Sequence, residues 1–245
     1  MLKVFNCDLH IHTCLSPCAE LDMHPRKIVT QAIQKRLDMI AICDHNASAN
    51  VPYVAAAAAG KDLIILPGME ITTREEVHLL ALFESIENLV KLQTVIDEHL
   101  FGENDEERFG VQAIVNEQGE VEGINQQLLI GATDLSIDMI VEHIHELRGL
   151  AVPAHIDRES FSVLGQLGFI DDRSGFDALE ISRHTGIQKG RIQYPQYSRY
   201  PFLTSSDAHF TDDIGTSVTS IVMETPCFSE LRQALLGQNG RRVLE

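Results

Sequence analysis

The sequence contains no apolar run of the roughly 18 to 20 residues that a membrane span needs. Its longest candidate, 51–66, is broken by Gly60, Lys61 and Asp62. The N-terminus lacks the basic, apolar, small-residue order of a secretory signal, and Asp8 arrives too early for one. These absences predict a cytoplasmic protein with no membrane partner. Cysteines are few and odd in number (Cys7, Cys14, Cys18, Cys43 and Cys227), which argues against a disulfide scaffold. Cys14 and Cys18 are close in sequence, but no second cysteine pair completes a structural zinc site. Basic residues are scarce: 19 Lys and Arg face 36 Asp and Glu, for a formal net charge of -17. No basic run marks the stripe by which a protein tracks a long nucleic acid. The balance disfavours such a partner and favours a small anionic substrate held by metals and a few arginines. There is no internal repeat, no low-complexity linker and no Walker-type glycine loop.

What is present is an alternation of short apolar runs and helical patterns. The chain has 245 residues and is 44% hydrophobic, which suits one full-cored α/β domain. Strands are expected at Leu2–Phe5, Met39–Cys43, Leu63–Glu70, Val77–Phe83, Leu150–Val152, near Ala178, at Phe202–Thr204 and at Ser217–Met223. Helices are expected at Pro25–Arg36, with proline in the first turn, and at Val51–Ala59, Ile86–Leu100, Ser136–Leu147, near Phe161 and at Phe228–Leu236. Residues 101–127 change character: acidic, with turn signals at Gly102 and Gly119 and two short strand patterns, they read as a surface insertion. Alternating β and α with parallel strands argues an α/β barrel.

Most of the strand patterns end in histidine or carboxylate: Asp8-Leu9-His10-Ile11-His12, Asp44-His45-Asn46, Gly68-Met69-Glu70 with His78 soon after, Pro153-Ala154-His155 and Ser206-Asp207-Ala208-His209. In a parallel barrel, C-terminal strand ends converge on one mouth. Alternate residues on a strand share a face, so His10 and His12 can bind one metal, with Asp8 behind them to fix a tautomer. Glu70 can bridge two cations through its two oxygens. Paired cations suit phosphoester chemistry, one generating hydroxide and both stabilising the transferring group. His143-Ile144-His145 falls on a helix, where residues two apart diverge, and reads as surface.

This ordered motif series resembles the PHP (polymerase and histidinol phosphatase) family over residues 8–209. The resemblance implies a distorted (β/α)7 barrel, a trinuclear site of zinc, manganese or iron, and phosphoester hydrolysis. Carried onto this chain, it implies that His10, His12, Glu70 and Asp207 hold a first metal. Glu70, His78 and His155 would hold a second, and His45 and His209 a third. Many members follow the first motif with an aspartate that helps the third metal. Here Pro17 takes that place, and Cys18 stands where some members have histidine. Cys18, a zinc or iron ligand once ionised, and Glu20, better suited to manganese, are the candidates to complete the site, which otherwise holds two metals. Asp207 or His209 is expected to handle a proton or the leaving oxygen.

Arginine suits phosphate because its planar guanidinium makes paired contacts. Arg158, after His155, and Arg183 with His184 are expected at the ligand end of the barrel; Arg191 and Arg199 carry less. The leading expectation is a phosphoesterase acting on a small phosphomonoester such as a nucleotide, with histidinol phosphate a specific case. The alternatives are a 3′-5′ exonuclease, an amidohydrolase-like hydrolase and a non-catalytic metal-binding module.

Overall fold

The computed structural model describes residues 1–244. In chain order its elements are β1 (Lys3–Ile11), α1 (Pro25–Gln34), β2 (Met39–Ile42), α2 (Val51–Ala57), β3 (Ile64–Thr72), β4 (His78–Leu82) and α3 (Ile86–His99). Then come α4 (Glu106–Phe109), β5 (Ala113–Val115), β6 (Val121–Ile124), α5 (Ile137–Glu146), β7 (Leu150–Pro153), α6 (Val163–Leu167) and β8 (Leu179–Glu180). The chain finishes with α7 (Gly186–Gln193), β9 (Phe202–Leu203), β10 (Thr219–Met223), α8 (Phe228–Leu235) and β11 (Arg242–Leu244).

One sheet runs β11-β10-β1-β2-β3-β4-β7, and β8 pairs with β9 apart from it. Backbone bonds close the ring. Asp177 N donates to Ala151 O and Ile156 N to Glu180 O, both at 2.9 Å, and His12 N donates to Ala208 O at 3.0 Å. The circuit β1-β2-β3-β4-β7-β8-β9 is a distorted seven-stranded barrel, with β10 and β11 added outside β1. The expected all-parallel ring is corrected at one place. β1, β2 and β3 are parallel, but β4 runs antiparallel to both β3 and β7. The first residue of β4, not its last, therefore lies at the mouth, and that residue is His78.

Strand alternation separates two apolar layers. Ile40, Ile42, Met69, Ile71 and Ala81 pack outward with Ile28, Val29, Leu89, Leu92, Ile140 and Ile144 of α1, α3 and α5. Leu66, Leu80, Leu82, Val152 and Leu203 form the inner layer, which Phe228, Leu231 and Leu235 of α8 complete. Glu70 shares its strand face with Leu66, and His78 shares its face with Leu80 and Leu82, so the polar mouth rests on an apolar floor. Serine hydroxyls cap three helices, accepting from Asn88 N (Ser85), Met139 N (Ser136) and Gly165 N (Ser162).

Strand β1 continues six residues beyond the expected Phe5, through the polar motif itself. α6 starts at Val163, so Phe161 sits in the preceding loop. Residues 101–127 carry the two expected strands, paired antiparallel. They are stitched to the loop after β1: Ala113 N donates to Cys14 O at 3.1 Å, and buried Asn50 donates to both Thr13 Oγ1 and Ala113 O. A side chain at Gly110 would collide with Pro17 O, only 2.4 Å from an added Cβ.

Candidate metal centre

Glu70 stands at the middle of the barrel mouth, 1% exposed. Its Oε1 lies 3.0 Å from His78 Nδ1 and 3.4 Å from both His10 Nε2 and His155 Nε2. Its Oε2 lies 3.1 Å from His45 Nδ1 and 3.4 Å from His12 Nε2. The two oxygens thus face different histidines, as a bridging carboxylate requires. Asp207 adds a second carboxylate, with Oδ1 3.4 Å from His10 Nε2 and 3.3 Å from His12 Nε2. Three overlapping groups can each offer converging donor atoms to a cation: His10, His12 and Glu70; His45, Glu70 and His78; and His12, His45 and His209. His155 and Asp207 flank the first two.

The strand ends reach this convergence through unusual backbone. Asn46, His155 and Asp207 have φ of 49°, 32° and 50°, the left-handed region that non-glycine residues avoid. Such conformations persist where the surroundings over-determine them, and they concentrate at functional sites. Asn46 shows how: its amide donates to Leu129 O and Gly131 O, and its Oδ1 accepts from Thr72 N.

Ring orientation is fixed from behind. Ser16 Oγ donates to Asp44 Oδ1 at 2.7 Å and accepts from His12 Nδ1 at 2.9 Å, which leaves His12 Nε2 facing the cluster. His209 Nδ1 donates to Asp207 O at 2.9 Å. Behind His10 stands Glu180, at 3.1 Å from Nδ1. Asp8, expected there, accepts instead from Ser206 N and Gly215 N. A register shift between Asp8 and Ile11 breaks strict alternation and turns Asp8 away from the face of His10.

Electrostatics match a cation site. Burial opposes charge on His10, His12 and His45, yet the surrounding carboxylates outweigh it. His10 is raised well above its ordinary value, and His12 and His45 are raised to about 9. Burial dominates for His78 and His209, lowered to about 4 and about 3. Despite their burial, Glu70 and Asp207 are held well below the usual carboxylate range by the histidines. Buried His45 Nδ1, His78 Nδ1, His155 Nδ1 and Glu70 Oε1 make no hydrogen bond within the described residues. Each such orphan costs about 1–3 kcal/mol. His78 Nδ1 faces Glu70 Oε1 and His45 Nδ1 faces Glu70 Oε2, and a divalent metal held between imidazole and carboxylate would satisfy such atoms, so the donor set fits divalent metals.

The remaining sequence candidates divide. Cys18 is exposed, on the side of His45, whose ring it helps to raise. Glu20 is exposed, and its backbone amide donates to His209 O at 3.0 Å. Neither belongs to the three donor groups. Cys14 is buried beside Ala113 and Val115. Arg158 enters the centre, its Nη2 2.6 Å from Asp207 Oδ2. Arg183 is instead paired with Asp213 at 2.8 Å, and His184 beside it is exposed. His143 and His145 lie on α5, facing Glu146 and Asp177. Phe161, outside the residues expected at the site, is 42% exposed, and its ring stacks on His78 with centroids 4.7 Å apart. Sequence reasoning passed over Glu180, which a lone carboxylate inside the apolar run Ala178–Ile181 signals.

The barrel mouth gathers six histidines around Glu70 and Asp207, a donor set that fits divalent metals. The PHP domain profile matches residues 8–201 and the PHP-associated profile residues 193–238; the chain belongs to the PHP domain family. Among curated proteins, the uncharacterized protein YqxK of Bacillus subtilis (strain 168) is 31% identical over 106 residues, 41% of this chain and 27% of that protein. The lesion-specific endonuclease Q of Pyrococcus furiosus superposes with a TM-score of 0.73 at 20% identity, over 98% of this chain and 58% of that one. Endonuclease Q bound to a 27-mer duplex with an abasic lesion gives 0.73 at 19% identity, with the same coverage. A putative metal-dependent phosphoesterase from Bifidobacterium adolescentis gives 0.57 at 19% identity, over 83% and 87% of the two chains. This chain therefore spans about a quarter of YqxK (27%) and little more than half (58%) of endonuclease Q. No helix among the described residues is long and apolar enough to cross a membrane.

Proposed function

We propose that the chain hydrolyses a small phosphomonoester, using two or three divalent transition metals (zinc, manganese or iron) held at the barrel mouth. The observation that carries this is Glu70, whose two oxygens face separate sets of histidines. In this reading His10, His12, Glu70 and Asp207 hold one metal, and Glu70, His78 and His155 a second. His45 and His209 hold a third, with Cys18 or Glu20 to complete it. Bound metals of this kind polarise phosphoryl oxygens and acidify water.

The chain's own groups supply the rest. Arg158 reaches across Asp207 and meets a phosphoryl oxygen with its remaining N–H groups. Asp207 stays ionised. His209, neutral because burial lowers it to about 3, has its Nδ1–H committed to Asp207 O, so its Nε2 lone pair is left for the third metal. The exposed ring of Phe161 offers an apolar wall beside His78, which suits a nucleoside or other aromatic alcohol over a bare aliphatic one. We read residues 101–127 as an insertion within one domain. Its seven carboxylates (Glu103, Asp105, Glu106, Glu107, Glu117, Glu120, Glu122) against Arg108 put negative charge beside the loop of Cys18 and oppose a long polyanion.

A second reading, a nuclease, is favoured by the fold shared with endonuclease Q. The experiment that tests the proposal is metal analysis of the purified protein, followed by phosphomonoester hydrolysis before and after chelation and metal return. Absence of bound metal, or turnover indifferent to chelation, contradicts it.

A further inference from the structure

We propose that Glu180 is a positioning residue of the metal centre. It sets the ring of His10 and the backbone of His155 together, and so controls how tightly the centre holds a cation. This rests on the metal-centre reading above.

Glu180 occupies the two-residue strand β8 and is 2% exposed. Its Oε2 accepts from His10 Nδ1 at 3.1 Å and from His155 N at 3.1 Å. Its backbone oxygen accepts from Ile156 N at 2.9 Å. One residue therefore joins the end of β1 to the corner after β7. That corner needs holding, because His155 has a φ of 32°, and a conformation of that kind costs about 1–3 kcal/mol.

The consequence for His10 is chemical as well as geometric. A carboxylate that accepts from Nδ1–H keeps the proton on that nitrogen. The Nε2 lone pair then points at Glu70 and Asp207, and the ring becomes a stronger donor. His12 is oriented by a different device, the Ser16 hydroxyl backed by Asp44. His10 of β1 and His12 just beyond it are thus set independently, and loss of Glu180 acts on His10 and leaves His12 in place.

The charge itself is informative. Oε1 of Glu180 is buried and makes no hydrogen bond. A tie needing only an acceptor would be served by a neutral side chain, with no unpartnered anionic oxygen. A negative charge kept behind His10 strengthens its donation to a cation in front.

The test uses full-length Glu180→Ala and Glu180→Gln, zinc titration, and long-range 1H–15N spectra of the zinc-loaded protein with 15N-histidine. In the wild type His10 shows a downfield, exchange-protected Nδ1–H. Glu180→Ala should lose that resonance and bind zinc about 10–100-fold more weakly. In Glu180→Gln the amide oxygen can take both bonds, so the resonance should persist but move upfield, with intermediate zinc affinity. Wild-type affinity with an unshifted His10 resonance in both variants overturns the proposal. So does weakened binding with an unshifted resonance, which would mark a general packing effect. If Glu180→Ala fails to fold, the shift in Glu180→Gln decides alone. A wild-type protein that takes up no zinc, manganese or iron would instead sink the metal-centre reading.

Discussion

Glu70 Oε1 lies 3.0 Å from His78 Nδ1 although their strands run in opposite directions, with Thr72 opposite His78 in the register. Had β4 been parallel, its first residue would sit at the closed end of the barrel. The reversal lets one carboxylate address histidines from three other strand ends as well as β4. Glu70→Gln should therefore be the most damaging single change at the site. It should remove metal from two positions together, whereas His209→Ala should disturb one. Metal content per chain, measured on both variants beside the wild type, checks this. Equal losses would show that Glu70 does not bridge.

The proton load of the metal-free cluster gives a pH signature. His12 and His45, raised to about 9 because nearby carboxylates outweigh burial, carry protons at neutral pH that a metal must displace. Zinc uptake at pH 7 should release protons, and apparent affinity should rise with pH and level off above about 9. The sign for folding is opposite. A raised histidine stabilises the metal-free fold fully below its unfolded value of about 6.5 and loses that contribution as pH rises through the folded value. The chelated protein should thus lose Tm between pH 7 and 9, and the metal-loaded protein should not. Calorimetry in two buffers of different ionisation heat, with melting curves, reads both; pH-independent uptake without proton release contradicts the account.

Arg158 touches Asp207, while Arg183 is paired with Asp213. Arg158→Ala should lower kcat/KM for a phosphomonoester about 10–100-fold, the range of one charge-assisted hydrogen bond of about 1.5–3 kcal/mol. Arg158→Lys should recover part of it. Arg183→Ala and His184→Ala should cost less. Steady-state kinetics on the four variants rank them, and an Arg183 effect larger than that of Arg158 would move the phosphate to the other side of the mouth.

Cys18 should complete the third metal position. Cys18→Ala should lose one metal and keep the others, and bound metal should shield the thiol from alkylation. Cys14→Ala, a buried change beside the insertion, should leave metal content intact. Retention of all metal in Cys18→Ala with loss in Glu20→Ala would assign the position to Glu20.

Much of the centre is legible in the sequence because its polar residues interrupt or end apolar runs. A histidine after Ala154 or an aspartate after Ser206 has no place in a barrel core without a partner. Strand direction is not written in the same way. After His78 the run of β4 is apolar throughout and reads the same in either direction, and only the position of His78 at its start hints at the reversal. Asp8 was misplaced because a bulge is invisible to a period of two. Glu180 escaped because β8 is too short to show alternation, and α7 because Gly186 and Gly190 weaken its helical pattern. The extension of β1 past Phe5 is hidden because Asn6, Asp8 and His10 interrupt its apolar run, while Cys7, Asp8 and Ile11 pair with β2.

The central claim is most directly tested by one competition. The metal-loaded protein is offered nucleoside monophosphates, aliphatic phosphomonoesters and duplex oligonucleotides, with and without an abasic site, under identical conditions. The account predicts chelator-sensitive release of inorganic phosphate, fastest from monoesters of aromatic alcohols or nucleosides, with little strand cleavage. Cleavage of the duplexes without phosphate release from any monoester would contradict it and make the chain a nuclease.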